Sequence, residues 1–166
     1  MSELNFKGLE DKIKGVIFGL FGSIMASFDV ALGVSILTSD SWTIFISGLI
    51  VGMASSFANA FGPLITKSRL VNFQAYSIND LIQSIISFTL TFIVVGLPLI
   101  PYFFNNLIIA RVVSVTSGLV LLFIFGVHKG QLEYLEESPL VYGFKIALIG
   151  AVGAVICYFS TLYLVR

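Results

Sequence analysis

Asp29 is the residue of this sequence whose type and position most clearly offer chemistry. It is the only charged residue between positions 15 and 37, a segment that is otherwise rich in Phe, Leu, Ile and Val. An Asp near the middle of a bilayer costs roughly 2.5–3.5 kcal/mol on insertion scales, and such residues face the protein interior and mark ion or proton paths. We therefore expect Asp29 to bind a metal cation or to carry a proton. The alternative is a protonated, hydrogen-bonded packing residue.

Three further side chains are expected to share a transport path with Asp29. Met25 lies one helical turn before it, and Ser55 and Asn59 lie in the next apolar segment. Hydroxyl and amide oxygens suit hard cations, whereas the thioether of Met25 favours a softer ion. One carboxylate per chain is too few for a tight site, so we expect a homodimer that brings two together. The divalent cation is expected as a substrate and not as a resident cofactor.

Other kinds of chemistry are not indicated. The sequence contains no nucleophile elbow, P-loop, CxxC or HExxH motif. Its single cysteine, Cys157, excludes an internal disulfide and a Cys-rich metal site. Cys157 lies among small residues and is interpreted as a packing residue. Nine basic residues balance nine acidic ones, so nucleic acid is not expected as a partner. We expect neither an enzyme nor a bound cofactor.

The composition requires that these residues be positioned by membrane-spanning helices. Of the residues, 57% are hydrophobic and 11% are charged, whereas soluble domains carry about 25% charged residues. Each of five apolar segments is long enough to cross a hydrocarbon core of ~30 Å, and such segments are helical because lipid cannot satisfy their backbone groups. The sequence predicts one all-α, polytopic integral membrane domain over residues 1–166, with the lipid bilayer as its surroundings. Its five transmembrane helices are predicted at 15–37, 43–66, 81–102, 107–127 and 141–165.

The basic residues indicate how the spans are oriented. Cytoplasmic loops of membrane proteins are enriched in Lys and Arg. With the N-terminus in the cytoplasm, seven basic residues fall on the inner side and two, Arg111 and Arg166, on the outer side. We therefore predict a cytoplasmic N-terminus and an external C-terminus, and we expect Arg111 to reach the membrane interface. The membrane is expected to be the cell membrane if the source is prokaryotic.

Small residues recur along three of the spans at alternating steps of four and three residues, which correspond to one face of a helix. In lipid, small side chains let helix backbones approach closely, and GxxxG is the compact form of this pattern. We expect packing seams on these faces and a homodimer packed through spans one and two. The alternative is that the seams pack helices within one subunit. The seams comprise Gly15, Gly19, Gly22, Ala26, Asp29 and Gly33 in span one, Gly48, Gly52, Ser55, Asn59, Gly62 and Thr66 in span two, and Gly143, Ala147, Gly150, Ala154, Cys157 and Thr161 in span five.

The ends of the last three spans carry a recognisable set of residues. They are Gly96-Leu97-Pro98-Leu99-Ile100-Pro101-Tyr102, Gly126, Ser138-Pro139, Gly143, Gly150, Ala154 and Tyr158. The first half adds Gly19, a basic N-terminal segment, and a Gly/Ser-rich second span that ends in Lys67-Ser68-Arg69. With these residues the chain resembles the vacuolar iron transporter family. The resemblance implies five helices with the N-terminus inside, a homodimer, and export of ferrous or manganous ions from the cytoplasm, by proton antiport, along a path near the dimer interface.

The chain also departs from the pattern of that family. The acidic residue that members carry in span one falls on Gly22, and their span-two glutamate and methionine fall on Val51 and Asn59. The glutamate-rich cytoplasmic insert after span two is absent, because the connection over residues 67–80 is short. The sequence is therefore compatible with two functions. The first is a transporter that exports an iron- or manganese-like divalent cation, and the second is a non-transporting membrane protein with an assembly or interaction role.

Overall fold

The chain folds into a bundle of long helices. The computed structural model describes residues 2–70, 78–104, 106–132 and 138–165, and the side chains of residues 19–62, 78–104, 106–131 and 138–165. Five stretches of 19 to 26 of these residues are long and apolar enough to cross a membrane. The prediction of an all-α protein with five transmembrane helices is confirmed. The elements are α1 (Ser2–Leu37), α2 (Ser41–Leu70), α3 (Ile78–Gly96), a 3₁₀ segment (Leu97–Phe103), α4 (Leu107–Leu132) and α5 (Pro139–Leu164).

Polar and proline residues mark the places where the helices begin and end. Asp40 begins α2, because its Oδ2 atom accepts a hydrogen bond from the backbone N–H of Thr43 at 3.0 Å. Asn106 begins α4 in the same way, since its Oδ1 atom accepts from two backbone N–H groups of the first turn, both at 3.2 Å. Pro98 and Pro101 have no N–H group to donate, so α3 gives way to the 3₁₀ segment.

α1 is the central helix of the bundle. It packs against each of the other four helices and against the 3₁₀ segment. Within its span 56% of the residues are buried, compared with 17–33% in the other four spans. Its inner side forms the core through Leu20, Phe21, Ile24 and Phe28, all exposed by 7% or less. The surroundings of α1 residues are therefore set mainly by protein and not by lipid.

Two glycines of α2, Gly48 and Gly52, allow close packing of helices within one chain. A Cβ atom at Gly52 would lie 2.2 Å from Cγ1 of Val95 on α3, and one at Gly48 would lie 3.0 Å from the backbone oxygen of Ser27 on α1. These two faces are thus occupied by α1 and α3. The expectation that a second copy packs on the Gly48–Gly52 seam is corrected accordingly, because no room remains there for another helix.

The other seam glycines differ in their surroundings. A Cβ atom at Gly150 would lie 2.4 Å from a leucine of α4, and one at Gly19 would lie 2.6 Å from Cβ of Asn59. Gly22, by contrast, is exposed, and an added Cβ atom would meet nothing within 4 Å. Gly15 lies in α1, but its surroundings fall outside the described side chains. Gly22 is therefore a seam position that the chain leaves open.

The helices extend beyond the predicted spans at their polar ends. α1 begins at Ser2 and not at residue 15, and α4 continues to Leu132, beyond residue 127. Apolar patterning marks the part of a helix that contacts lipid, whereas Lys, Glu and Gln continue a helix into water without difficulty. The odd number of spans places the two ends of the described chain on opposite sides of a membrane. Which side is cytoplasmic stays a prediction.

Candidate functional site

Asp29 lies at the interface between α1 and α5. Gly153 of α5 makes room for it, since a Cβ atom added there would lie 3.0 Å from Oδ2 of Asp29. Met25 shares this space, because its Cε atom would lie 3.6 Å from the same added Cβ atom. A helical spacing of four residues places Met25 and Asp29 on one face of α1. A carboxylate and a thioether thus meet the bare backbone of α5.

One oxygen atom of the Asp29 carboxylate has no hydrogen-bond partner among the described residues. Its Oδ1 atom is buried, yet no described residue donates a hydrogen bond to it. A buried polar atom without a partner costs free energy, about 1–3 kcal/mol and more for a charged group, so such an atom calls for a ligand, a proton or a water. Among the described residues, no group of three or more His, Cys, Asp and Glu is placed to hold a metal ion.

Cys157 adjoins Asp29 on the same interface. Its thiol donates a hydrogen bond to the backbone oxygen of Asp29 at 3.0 Å. One turn further along α5, the hydroxyl of Thr161 donates to the backbone oxygen of Cys157 at 2.9 Å. Gly33 allows this approach, since a Cβ atom there would lie 3.0 Å from Oγ1 of Thr161 and 3.1 Å from Sγ of Cys157.

A second polar cluster lies between α1 and α2. The side-chain amide of Asn59 donates to the backbone oxygen of Gly19 at 2.8 Å and to Oγ of Ser23 at 3.0 Å. The hydroxyl of Ser23 also lies 3.1 Å from Oγ of Ser55. The same amide nitrogen lies 3.4 Å from Oγ of Ser55 on α2. The side chain of Asn59 thus ties the two helices together.

The predicted path residues fall at two different interfaces. Asp29 and Met25 face α5, whereas Ser55 and Asn59 join α1 beside Gly19. Helical geometry places a strip of α1 between these interfaces, and α2 and α5 do not pack extensively on each other across it. The strip consists of Gly22, Ala26 and Val30, of which Gly22 is exposed and the other two are half-buried.

Two buried serines of α1 were not singled out from the sequence. Ser23 and Ser27 are both fully buried. Ser27 donates from its hydroxyl to the backbone oxygen of Gly48 at 3.1 Å. Their spacing is the feature of the sequence that could have identified them. Small residues repeat every four positions along one face of the helix, at Gly19, Ser23, Ser27 and Ala31. This row of small residues is the face that packs against α2.

A third polar cluster lies at the end of the bundle that carries the α1–α2 turn. Nε of Arg111 on α4 donates to Oγ of Ser35 at 2.9 Å, and a second guanidinium N–H donates to the backbone oxygen of Ser35. The last four carbonyls of a helix have no partner within it, so Arg111 closes the end of α1. The guanidinium thus binds the end of α1, and its position relative to the membrane interface stays a prediction.

Comparison with known proteins adds one finding about the chain. The sequence model of the VIT family matches residues 65–162, which includes α3, the 3₁₀ segment, α4 and most of α5. No curated protein matches the chain.

Proposed function

The chain belongs to the VIT, or vacuolar iron transporter, family, and from this premise we propose that it exports a divalent transition-metal cation, iron- or manganese-like, from the cytoplasm. Membership of this family indicates metal ion transport across a membrane. The protein is an integral membrane protein, as its five apolar helices and its family indicate. The metal, the direction and the coupling are our proposal.

The observation that carries the proposal is the unpartnered carboxylate of Asp29. A charged residue within a span is retained against its insertion cost when it serves a path for ions or protons. Oδ1 of Asp29 is buried without a hydrogen-bond donor among the described residues, and Gly153 keeps the neighbouring space clear. Met25 adds a polarisable sulfur beside it. A cation bound here would replace the missing donor.

Proton exchange follows from the chemistry of such a ligand. A carboxyl group binds a metal ion only in its deprotonated form, so metal binding is coupled to release of a proton. When the metal leaves, a proton restores neutrality in a region of low dielectric constant. We propose on this basis that Asp29 alternates between cation and proton, which makes the transporter a metal–proton antiporter.

A homodimer would complete the site. One carboxylate per chain holds a divalent cation weakly, and the open strip on α1 lies directly beside Asp29. A second copy packed on Gly22, Ala26 and Val30 would bring a second Asp29 towards the first. Small residues on an uncovered transmembrane face favour such close helix contact.

The test is metal flux in proteoliposomes with wild-type protein and two carboxyl variants. Asp29→Asn keeps the size of the side chain and removes its charge, and we expect it to abolish flux of ferrous and manganous ions and the accompanying proton movement. Asp40→Asn is the matched control, because Asp40 lies in the α1–α2 turn and asparagine also caps a helix. Equal flux in wild type and Asp29→Asn would contradict the proposal.

One observation favours a second candidate function. The family's span-two methionine corresponds to Asn59, whose amide binds α1, and its acidic residue in span one corresponds to Gly22. Neither position carries a metal-binding side chain of the family here, since Asn59 ties α2 to α1 and Gly22 has no side chain. This is expected of a non-transporting membrane protein that assembles with partners. Wild-type protein that moves no ferrous, manganous, zinc or calcium ions, and that gains no thermal stability from them, would favour this second function.

A further inference from the structure

Two hydroxyl groups are buried without a hydrogen bond at the end of the bundle that carries Arg111. Tyr102 of the 3₁₀ segment and Ser114 of α4 are both fully buried. Neither Oη of Tyr102 nor Oγ of Ser114 has a hydrogen-bond partner among the described residues. Buried hydroxyl groups normally have such a partner, because an unpartnered one is costly. These two atoms therefore point to a ligand at this end of the bundle.

The two hydroxyls lie beside Arg111 and Ser35. Oη of Tyr102 faces the hydroxyls of Ser35 and Ser114 and the charge of Arg111, although it completes no hydrogen bond of normal geometry with either serine. Arg111 and Ser114 are three residues apart on one face of α4. Nε of Arg111 donates to Oγ of Ser35 at 2.9 Å. Residues of α1, the 3₁₀ segment and α4 thus converge in one polar cluster.

The groups of this cluster that remain available are hydrogen-bond donors. The hydroxyl of Ser35 donates to the backbone oxygen of Leu32 at 2.6 Å, so its own proton is used. The O–H groups of Tyr102 and Ser114 have no acceptor among the described residues. Arg111 has further N–H groups beside those that Ser35 accepts. Donors that converge next to a positive charge favour an anion as the ligand.

The charge of Arg111 is met by neutral oxygen atoms in the described part of the chain. Its hydrogen bonds go to the hydroxyl and the backbone oxygen of Ser35. Asp40, the acidic residue of the adjacent α1–α2 turn, accepts hydrogen bonds from Thr43 instead. Arg111 is half-buried, and a charge that leaves water is costly without a counter-ion. This argument favours an anion over a neutral water molecule.

We propose that Tyr102, Ser114 and Arg111 bind a small monovalent anion such as chloride. The O–H groups of Tyr102 and Ser114 donate to the ion, and the guanidinium of Arg111 supplies the opposite charge. Both hydroxyls are fully buried, so the ligand is a small enclosed ion and not a lipid headgroup. The site is separate from Asp29 and goes beyond the proposed transport of a metal cation.

Thermal unfolding in detergent tests the site by comparing sodium chloride with sodium gluconate at equal ionic strength. Chloride should raise the melting temperature of wild type by about 2–4 °C, since a ligand that binds only the folded state stabilises it. Tyr102→Phe and Ser114→Ala each remove one donor and should reduce this rise by at least about half. Thr116→Ala, which changes an exposed residue of α4, is the matched control and should retain the rise. Each variant is compared with itself in the two salts, so a general loss of stability does not imitate the effect.

Bromide locates the ion, because it replaces chloride and scatters X-rays anomalously. Crystals soaked in sodium bromide should show an anomalous peak within hydrogen-bond distance of Oη of Tyr102 and Oγ of Ser114. The absence of a peak there, or a chloride effect of equal size in wild type and both donor variants, would overturn the inference and assign the two hydroxyls to an ordered water. If one donor variant does not fold, the other variant and the bromide peak decide. Neither experiment contains a transition metal, so a negative result leaves the proposed transport function unaffected.

Discussion

Arg111 shows how one side chain joins the ends of two helices. Its guanidinium donates to both the hydroxyl and the backbone oxygen of Ser35. Lysine cannot reproduce this two-pronged geometry. We expect Arg111→Lys to lower the free energy of unfolding by about 1.5–3 kcal/mol, the usual range for hydrogen bonds to a charged group. Denaturation in detergent micelles measures the effect, with Thr116→Ala on the exposed face of α4 as the control. An unchanged unfolding curve would show that the contact adds nothing.

Asp40 makes the stability of the α1–α2 turn depend on pH. Hydrogen bonds from the side chain and backbone of Thr43 hold the pKa of Asp40 below its ordinary value of 3.8. Because the pKa is lower in the folded state, the charged cap stabilises the fold above pH 3.8 and loses this effect as the pH falls through the lowered value. We expect Asp40→Ala to melt at a lower temperature than wild type at neutral pH. The difference should shrink in acid; a pH-independent difference would contradict the argument.

At the residue scale, the functional side chain Asp29 could be predicted from the sequence, but the residues that contact it could not. Asp29 stands out because a lone charge in an apolar segment is costly. Its neighbours Gly153 and Cys157 are separated from it by more than a hundred residues. Only the packing of α1 on α5 brings them together. The spacing of residues within one helix does not show which other helix packs against each face. The sequence therefore assigns Asn59 and Asp29 to one path, although Asn59 contacts a different side of α1.

At the element scale, two glycines of the predicted seams should respond oppositely to the same change. Gly52→Ala would place a Cβ atom 2.2 Å from Val95, a buried β-branched residue that cannot turn away, so we expect a loss of about 1–3 kcal/mol in stability. Gly22→Ala meets nothing within 4 Å and should raise stability by about 0.5–1 kcal/mol, because alanine favours a helix more than glycine does. Thermal unfolding in detergent compares the two. Equal melting temperatures would contradict the assigned packing of α2.

The existence of the helices could be predicted from the sequence, but not all of their ends could. Apolar length identifies five spans, since no other structure satisfies the backbone in lipid. The sequence does not predict that α1 begins at Ser2, because apolar length identifies only the part of a helix that contacts lipid and the first turns of α1 are polar. Pro98 and Pro101 did indicate the end of span three, and the structure turns that end into a 3₁₀ segment.

At the scale of the whole molecule, the open strip on α1 indicates where two copies would meet in the proposed homodimer. Gly22→Leu adds a large side chain to a face that the single chain leaves uncovered. We expect this variant to fold with wild-type stability and to shift from dimer to monomer, because the leucine separates backbones that must approach closely. Light scattering in mild detergent and crosslinking measure the shift.

The matched control for the dimer is Thr116→Leu, which adds similar bulk to the exposed face of α4. We expect it to remain dimeric. Dimers of both variants with wild-type affinity would show that the strip is covered by lipid or by another protein. Sequence alone could not choose between Gly22 and Gly52 as the contact of the proposed dimer, since both lie on small-residue seams. Only the fold shows that the seam at Gly52 is already filled.

The position of α1 at the centre of the bundle has a consequence for synthesis of the protein. Asp29 and Cys157 are 128 residues apart in the chain. At translation rates of about 5–20 residues per second, α1 enters the membrane roughly 6–26 s before its partner on α5 has left the ribosome. Throughout that interval the carboxyl group of Asp29 lacks the helix that covers it. A chain truncated before α5 would keep this group uncovered, with neither Gly153 nor Cys157 beside it.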